Sequence, residues 1–274
     1  MLALLLVGAS CGACAAAENV AGLFSIGSSA RSLGMGGAFS ALADDEGAVL
    51  HNPAALGWYD GVGFSSLFVQ QFGGVAYGVI GVAIPYLGVE VSFLDSGPIT
   101  AQGGVFRYAS QGVVASLGIP IGPVGIGARV RFARTSSPLS GSGWSADPVI
   151  LVTTDTIRAC AMLEGALSSP IRYDGGGTDL WQRSLRVSVA ARLVPVADVE
   201  WNAVGEVSGL LTAAPGITVG LETWIGGLGA RVGYDGEGPT FGLSVRFRTL
   251  QIDWAYATRP DLGDSHRVGL ALRF

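Results

Sequence analysis

Apolar and polar residues alternate along most of this chain, from about residue 61 to the last residue. In the final nine residues, one face of an extended strand carries Val268, Leu270, Leu272 and Phe274, and the other face carries Arg267, Gly269, Ala271 and Arg273. The same two-residue period recurs along residues 185–193, 199–207 and 243–248. The pattern therefore predicts an all-β fold whose strands have one apolar and one polar face.

The alternation divides into fourteen candidate strands. They lie near residues 62–71, 75–84, 86–94, 106–119, 123–134, 148–155, 157–167, 183–193, 197–208, 216–225, 227–235, 239–247, 250–257 and 266–274. An even number of strands with lengths of about 9–11 residues suits an antiparallel barrel that crosses the outer membrane. We predict tight periplasmic turns at 72–74, 120–123, 194–196 and 248–250, and extracellular loops at 135–147, 168–182 and 258–265.

Composition favours a membrane barrel over the two other folds that we consider. Hydrophobic residues make up 49% of the chain and charged residues 14%, with 43 glycines, and the mean hydropathy is +0.48. Glycine and proline interrupt the two longest apolar stretches, 73–89 and 112–128, which indicates hairpins rather than membrane helices. A soluble β-sandwich remains an alternative, but its polar face should carry more Lys, Thr, Ser and Glu than this chain has.

The first seventeen residues have the features of a secretory signal peptide. A short apolar core is followed by an Ala-Ala-Ala stretch at 15–17, which predicts cleavage after Ala17. Cys11 and Cys14 leave a lipoprotein alternative open, although the residues before them match a lipobox poorly. The remaining Cys160 cannot form an internal disulfide. We therefore divide the chain into a signal peptide (1–17), a glycine-rich N-terminal region (18–60) and a barrel (61–274).

Charged residues fall mainly on the polar faces of the candidate strands, where they would line the lumen. The predicted lumen-lining set is Arg129, Arg131, Arg186, Arg192, Glu200, Glu206, Glu222, Arg246, Arg248, Asp253, Arg267 and Arg273. Charges packed this densely in a narrow lumen are expected to pair with one another. The formal net charge is −5 and the arginines are not clustered, which argues against nucleic-acid binding.

Residues 30–57 contain a motif in three parts. Residues 34–38 read Gly-Met-Gly-Gly-Ala, 43–45 read Ala-Asp-Asp, and 52–56 read Asn-Pro-Ala-Ala-Leu. This motif resembles the N-terminal signature of the FadL-like outer-membrane transport superfamily, in particular its PorV/PorQ branch, which residues 262–267 also resemble. The closing strand ending in Phe274 resembles the insertion signal that the barrel-assembly machinery reads in outer-membrane barrels.

The resemblance implies a fourteen-stranded barrel in the outer membrane with the N-terminal region folded inside it as a plug. Glycines in the motif would let the backbone approach the wall closely or adopt positive φ, and Asn-Pro would start a turn. The plug and gate residues implied are Arg31, Gly34, Gly36, Gly37, Asp44, Asp45, Asn52 and Pro53. Superfamily members carry hydrophobic compounds through a lateral opening, which implies outer-membrane lipid and a hydrophobic small molecule as partners.

Little in the sequence suggests catalysis, and we expect no catalytic residues, cofactor or metal. Asp264, Ser265 and His266 are three triad residue types, but neighbours on a strand point to opposite faces and cannot converge on one atom. The acidic run 44–46 lacks the ligand spacing of a calcium loop. Two functions remain: passive passage of small hydrophobic molecules across the outer membrane, and a non-conducting carrier or assembly partner of the PorV type.

Overall fold

A computed structural model describes residues 20–71, 74–101, 104–136, 139–196, 198–258 and 264–274. The predicted signal peptide, residues 1–17, lies outside these ranges. Within them, no helix has the length and apolar character needed to cross a membrane.

Fourteen long strands form one closed antiparallel sheet, which confirms the predicted number. Three two- or three-residue strands lie between the seventh and eighth of them. In chain order the strands are β1 Gly63–Gln71, β2 Val75–Ile84, β3 Leu87–Ala101, β4 Gly104–Ile121, β5 Val124–Ser136, β6 Ser140–Thr153, β7 Ile157–Glu164, the short β8 Leu167–Ser168, β9 Ile171–Tyr173 and β10 Thr178–Asp179, then β11 Ser184–Val196, β12 Val199–Ser208, β13 Gly216–Ile225, β14 Leu228–Tyr234, β15 Pro239–Phe247, β16 Leu250–Ala257 and β17 Ser265–Arg273.

The first and last strands close the sheet into a barrel. β1 pairs antiparallel with β17 from Gly63↔Arg273 to Gln70↔His266, and β1 also pairs with β2. Because every long strand has a partner on both sides, the sheet has no free edge. Paired edges satisfy the backbone N–H and C=O groups internally, which a hydrocarbon environment requires.

Exposure alternates along the strands as the sequence pattern predicts. In β5, Arg129 and Arg131 are buried, whereas Val130 and Phe132 are exposed. The outward side chains are predominantly apolar along the other long strands as well. Near one end of β15–β17, the outward face carries the stacked rings of Trp254 and Tyr256, with centroids 6.2 Å apart. Such an aromatic group suits the boundary between an apolar and an aqueous phase.

The two ends of the barrel differ in the length of their links. At one end, called the short-turn end, the turns at 85–86, 122–123, 154–156, 226–227 and 248–249 have two or three residues. The backbone of Phe274 also pairs with that of Val62 at this end. The opposite, long-link end carries the links 165–183, 209–215 and 235–238.

Four predicted links differ from the structure or fall partly outside the described ranges. The turn predicted at 194–196 is wrong, because β11 continues to Val196. The predicted loop 135–147 is wrong, because β5 continues to Ser136 and β6 begins at Ser140. The short link at 72–74 lies at the long-link end, not with the other tight turns, although residues 72 and 73 fall outside the described ranges. Most of the predicted loop 258–265 also falls outside them.

The N-terminal segment (residues 20–62) contains four short helices. They are a 3-10 helix Val20–Ile26, α1 Ala30–Gly34, α2 Ala48–His51 and a second 3-10 helix Pro53–Trp58. The Ser29 side chain caps α1 by accepting the Ser32 N–H at 3.1 Å. Helix α1 contacts β14–β17, whereas α2 and the second 3-10 helix contact β3 and β4.

Candidate functional site

One end of the N-terminal segment is held by a cluster of buried charges, which we call the first anchor (Arg31, Asp44, Asp45, Glu222 and Arg231). The Arg31 guanidinium bonds Asp44 at 2.5 Å and Asp45 at 2.8 Å, and its Nε and Nη2 each donate to Glu222 of β13 at 2.7 Å. Arg231 of β14 bonds the same Glu222 at 2.6 Å. Buried charges are tolerated only when paired and hydrogen-bonded in this way.

Glycines beside the first anchor let the backbone of α1 approach the wall. A Cβ on Gly34 would lie 2.9 Å from Gly242 Cα, and a Cβ on Gly36 would overlap the carbonyl oxygen of Tyr234. Gly36 and Gly37 have φ of +68° and +79°, a conformation that favours glycine. Only Gly36 combines that conformation with a close contact, because nothing lies within 4 Å of a Cβ on Gly37.

A second group of contacts, the second anchor, joins wall side chains to backbone carbonyls of the segment. Arg129 of β5 donates to Leu50 O, and Ser116 Oγ of β4 donates to Val49 O at 2.6 Å. Arg158 of β7 donates to Leu42 O and Ala43 O at 2.9 and 3.2 Å. The segment contributes no charged group to these bonds.

Carboxylates of the wall balance the arginines around the second anchor. Arg129 bonds Asp147 at 2.8 Å and Glu164 at 2.6 Å. Arg186 bridges Glu164 and Glu206 at 3.1 and 3.3 Å. Glu206 also accepts the backbone N–H of Ser40 at 3.0 Å. These contacts connect the wall charges to the N-terminal segment.

The Asn-Pro step follows the second anchor along the chain, two residues after Leu50. Asn52 Nδ2 donates to Ser40 O at 2.7 Å, which ties two turns of the segment together. Pro53 begins the second 3-10 helix, and its carbonyl lies against Gly118 of β4. A Cβ on Gly127 would lie 2.5 Å from Ala54 N. Here too the close approach depends on wall glycines.

Burial and neighbouring charges shift the pKa values of His51 and Asp45 in the segment. Burial of the His51 imidazole, together with the nearby positive charges of Arg186 and Arg129, lowers its pKa to about 3. Its two ring nitrogens have no hydrogen-bond partner among the described residues, and its ring packs edge-on to Phe39 at 5.5 Å. Asp45 is also fully buried, but the positive charges of Arg31 and Arg273 outweigh that burial and lower its pKa.

Most of the predicted lumen-lining residues lie on the inward side of the wall. Buried members of the predicted set include Arg129, Arg131, Glu206, Glu222, Asp253 and Arg267. Arg273 bonds Glu46 of the segment at 2.7 and 2.9 Å. Arg248 is the exception, because it occupies the β15–β16 turn with φ of +53° and its guanidinium lies over the ring of Phe247. The alternation of β15 ends one residue earlier than we predicted.

Several residues in or beside the two anchors were not among the predicted site residues. Arg231 and Arg158 lie on alternating strands, β14 and β7, where the polar-face pattern could have identified them. Glu46 adjoins the two aspartates that we did select. Asp147 fell in a predicted loop, and Glu164 lies at the last position of β7.

Arg192, Glu200 and Arg246 share a cavity of about 520 Å³ at the short-turn end. Arg31, Asp44, Asp155, Trp224 and Arg273 also line it. Asp44 is therefore shared between the first anchor and this cavity, where Arg192 bonds its second carboxylate oxygen at 3.2 Å. The N-terminal segment therefore borders open space on the side that faces this cavity.

The structure places no triad at the C-terminus. Ser265 is buried, whereas the His266 side chain is on the opposite, outward face beside Tyr256, with ring centroids 5.2 Å apart. Among the described residues, no group of three or more His, Cys, Asp or Glu is placed to hold a metal ion.

Solved structures share this architecture. The toluene transporter TodX of P. putida has a TM-score of 0.60 at 13% identity, covering 90% of this chain and 99% of that one. The toluene transporter TbuX of Ralstonia pickettii has a TM-score of 0.61 at 12% identity, covering 90% and 98%. A Pseudomonas aeruginosa FadL homologue has a TM-score of 0.51 at 11% identity, covering 89% and 96%. No protein-family model and no curated protein matches the sequence. At these identities the likeness establishes the fold alone, a closed antiparallel β-barrel of the kind that these transporters have.

Proposed function

We propose that this chain is an outer-membrane barrel through which small hydrophobic molecules pass passively, with the N-terminal segment as its plug. The observation that carries the proposal is a closed barrel with an apolar outward face, whose inward face is bonded to the segment at two anchors. The apolar outward face needs a hydrocarbon environment, because a soluble protein rarely exposes so large an apolar surface.

The plug role rests on how the segment is held. Arg31 bonds the wall through a fork of two charged hydrogen bonds, and wall arginines bond carbonyls of residues 42, 43 and 50. Such a segment limits flow until contacts at one anchor break. The gate residues of the proposal are Arg31, Gly34, Gly36, Gly37, Asp44, Asp45, Asn52 and Pro53. We propose no enzymatic role.

The substrate class comes from the structural neighbours. TodX and TbuX are described as toluene transporters, and their fold is shared over 90% of this chain. By analogy we assign a small apolar molecule to this chain. The Gly-Met-Gly-Gly-Ala motif at 34–38 supports placing the chain in the PorV/PorQ branch of the superfamily, and it is the part of the segment that contacts β14 and β15 most closely.

The test uses cells with an intact lipopolysaccharide outer leaflet, because that leaflet is the barrier to apolar molecules. Cells expressing the full chain, and cells carrying an empty vector, receive radiolabelled toluene at low concentration. We expect faster, saturable uptake of toluene with the chain present, and no change for a polar solute of similar size. Uptake at the vector rate, from cells in which the folded barrel is in the outer membrane, would contradict passage.

The second candidate function is a non-conducting carrier or assembly partner of the PorV type. The ion pairs between segment and wall, which join Arg31 to Glu222, Asp44 to Arg192 and Glu46 to Arg273, favour it because each pair resists opening. The same uptake assay separates the two functions. A folded barrel that transports no toluene, even when the first anchor is broken by Arg31→Gln, supports the carrier.

We also propose that Phe274 acts as the insertion signal. Its side chain is exposed, and its ring packs edge-on to Phe64 at a centroid distance of 6.4 Å. Removal of Phe274 should slow insertion by the barrel-assembly machinery. Pulse-labelling of cells, followed by gels of boiled and unboiled samples, measures the rate at which the folded form appears. An unchanged rate would exclude this role.

A further inference from the structure

The cavity at the short-turn end has the size of a small-molecule site. Its volume is about 520 Å³, within the range of roughly 300–1,000 Å³ that ligand pockets occupy. The N-terminal segment forms one side of it, through Arg31 and Asp44, and strands β11, β12, β13 and β15 form the other. The anchors account for Arg31 and Asp44 but give no role to Arg246 or Glu200.

Two guanidinium groups in this cavity converge on one neutral oxygen. Arg246 donates to Gln251 Oε1 through Nε at 3.0 Å and Nη2 at 2.9 Å, and Arg273 donates to the same oxygen at 3.3 Å. Glu46 neutralises Arg273. No carboxylate of the described residues lies within ion-pair distance of Arg246, which is exposed to the cavity. An anion placed here would gain a charge-assisted hydrogen bond.

The cavity also has a second cation and apolar wall. Arg192 bonds a single oxygen of Asp44 at 3.2 Å, and 52% of its side chain is exposed. Beside Arg246 lies the Trp224 ring, whose centroid is 4.3 Å from the guanidinium carbon. Leu193 and Trp201 border the cavity as well, but they pair with each other on the outward side of the wall, so the Trp224 ring is the apolar surface that faces Arg246. A carboxylate on Arg246 would therefore have apolar surface beside it for the rest of the molecule.

Acidic residues in the lining restrict how much negative charge the cavity accepts. Glu200 and Asp155 line it, both are exposed, and neither has an ion-pair partner among the described residues. A second negative charge on the ligand would face them. From the unpaired Arg246, the apolar lining and these two acids together, we infer that the cavity binds a small monocarboxylate with an aromatic body. This site does not depend on the proposed passage of apolar molecules.

The test is a titration of the purified full-length chain in detergent, followed by tryptophan fluorescence, because Trp224 adjoins Arg246. Benzoate is the probe, toluene is its uncharged counterpart and inorganic phosphate is a purely polar anion. We expect saturable quenching by benzoate that weakens with added salt. Arg246→Gln should lower the benzoate affinity about tenfold or more, the loss of one charged hydrogen bond. Glu200→Gln should raise it about threefold by removing a like charge.

The matched control is Arg107→Gln, since Arg107 is an exposed arginine paired with Asp95 near the opposite end. It should leave benzoate binding unchanged, and gels of boiled and unboiled samples verify that each variant is folded. Equal benzoate affinity in the Arg246→Gln and Arg107→Gln proteins would overturn the site, as would phosphate binding as tightly as benzoate. A toluene response that Arg246→Gln leaves intact belongs to the proposed passage, so the two proposals fail separately.

Discussion

The two anchors hold the N-terminal segment to the same barrel with different chemistry. At the first anchor, the segment supplies charges of both signs, Arg31, Asp44 and Asp45, which pair with one another and with Glu222 of the wall. At the second anchor, the segment supplies only carbonyl oxygens, and the wall supplies the cation Arg129. The first anchor can therefore be broken by one change in the segment's side chains, whereas the second resists such changes because its acceptors are backbone.

Glycine is what the two anchors have in common. Gly34 and Gly36 of the segment meet wall backbone at the first anchor, while Gly118 and Gly127 of the wall meet segment backbone at the second. Close backbone approach needs glycine on only one of the two surfaces. Both surfaces carry such glycines, since Gly233 of the wall also meets the backbone of Met35 at the first anchor and Gly57 of the segment also meets Pro120 beside the second.

The largest effect is expected from breaking the first anchor at its centre. Arg31→Gln removes the cation that Asp44, Asp45 and Glu222 share and leaves them only the weaker or more distant Arg192, Arg273 and Arg231, a loss of about 3–5 kcal/mol for a buried network. Denaturant unfolding in detergent measures the loss, and planar-bilayer recordings should show frequent opening. Arg129→Gln is the comparison at the second anchor, where Ser116 and Arg158 still hold the carbonyls, so we expect less opening. Equal opening in the two variants would show that the anchors do not differ as we describe.

A smaller effect should come from adding one methyl group to the segment. Gly36→Ala places a Cβ against the Tyr234 carbonyl in a backbone conformation unfavourable to alanine, with an expected loss of about 2–4 kcal/mol. Gly37→Ala imposes the same backbone strain, but its methyl group meets no neighbouring atom. We expect it to lower the free energy of unfolding by about 1–2 kcal/mol. The difference in unfolding free energy between the two variants isolates the close contact. No difference would mean that α1 does not rest on β14.

Acid should weaken the second anchor's region through His51. The pKa of this buried imidazole is lowered from 6.5 to about 3, so below pH 6.5 the unfolded chain takes up a proton that the folded chain does not. Stability should fall by about 1.4 kcal/mol per pH unit between pH 6 and 4 from this group. Unfolding of wild type and His51→Gln at several pH values measures the slope. Parallel slopes in the two proteins would exclude His51 as the source.

The smallest effect is expected at the exposed edge of the first anchor. Arg192→Gln removes one ion pair to Asp44 at 3.2 Å, in which the Arg192 side chain is half exposed. Exposed pairs contribute about 0–1 kcal/mol, so stability and bilayer conductance should stay near wild type. A loss of stability as large as that of Arg31→Gln would show that the first anchor depends on Asp44 rather than on Arg31.

The alternation of apolar and polar residues made the barrel predictable. Where a prediction from this pattern was wrong, the cause is local. Residues 140–147 were predicted as loop although they belong to β6. The inward positions there are Gly141 and Gly143, which face Tyr173 and Ile171, and glycine adds no apolar residue to the alternating pattern. Arg248 was assigned to the lumen because the alternation was extended one residue past Phe247, into the turn that we predicted at 248–250.

Partners within the anchors could not be predicted from the sequence. Arg31 and Glu222 lie 191 residues apart, and only closure of the sheet brings β13 beside α1. The motif identified Arg31, Gly36 and Asp45 as a group, but alternation alone does not say which wall residue each one meets. The alternation of β7 could have identified Arg158 itself but not its partners, the carbonyls of Leu42 and Ala43, which have no sequence signature.

The central claim is that backbone contact at Gly36 helps to hold the barrel closed. Single-channel recordings in planar bilayers of the wild type, Gly36→Ala and Gly37→Ala test it most directly, since the two variants differ only in what the added methyl group meets. We expect long open periods for Gly36→Ala and traces close to wild type for Gly37→Ala. Indistinguishable traces from all three folded proteins would contradict it.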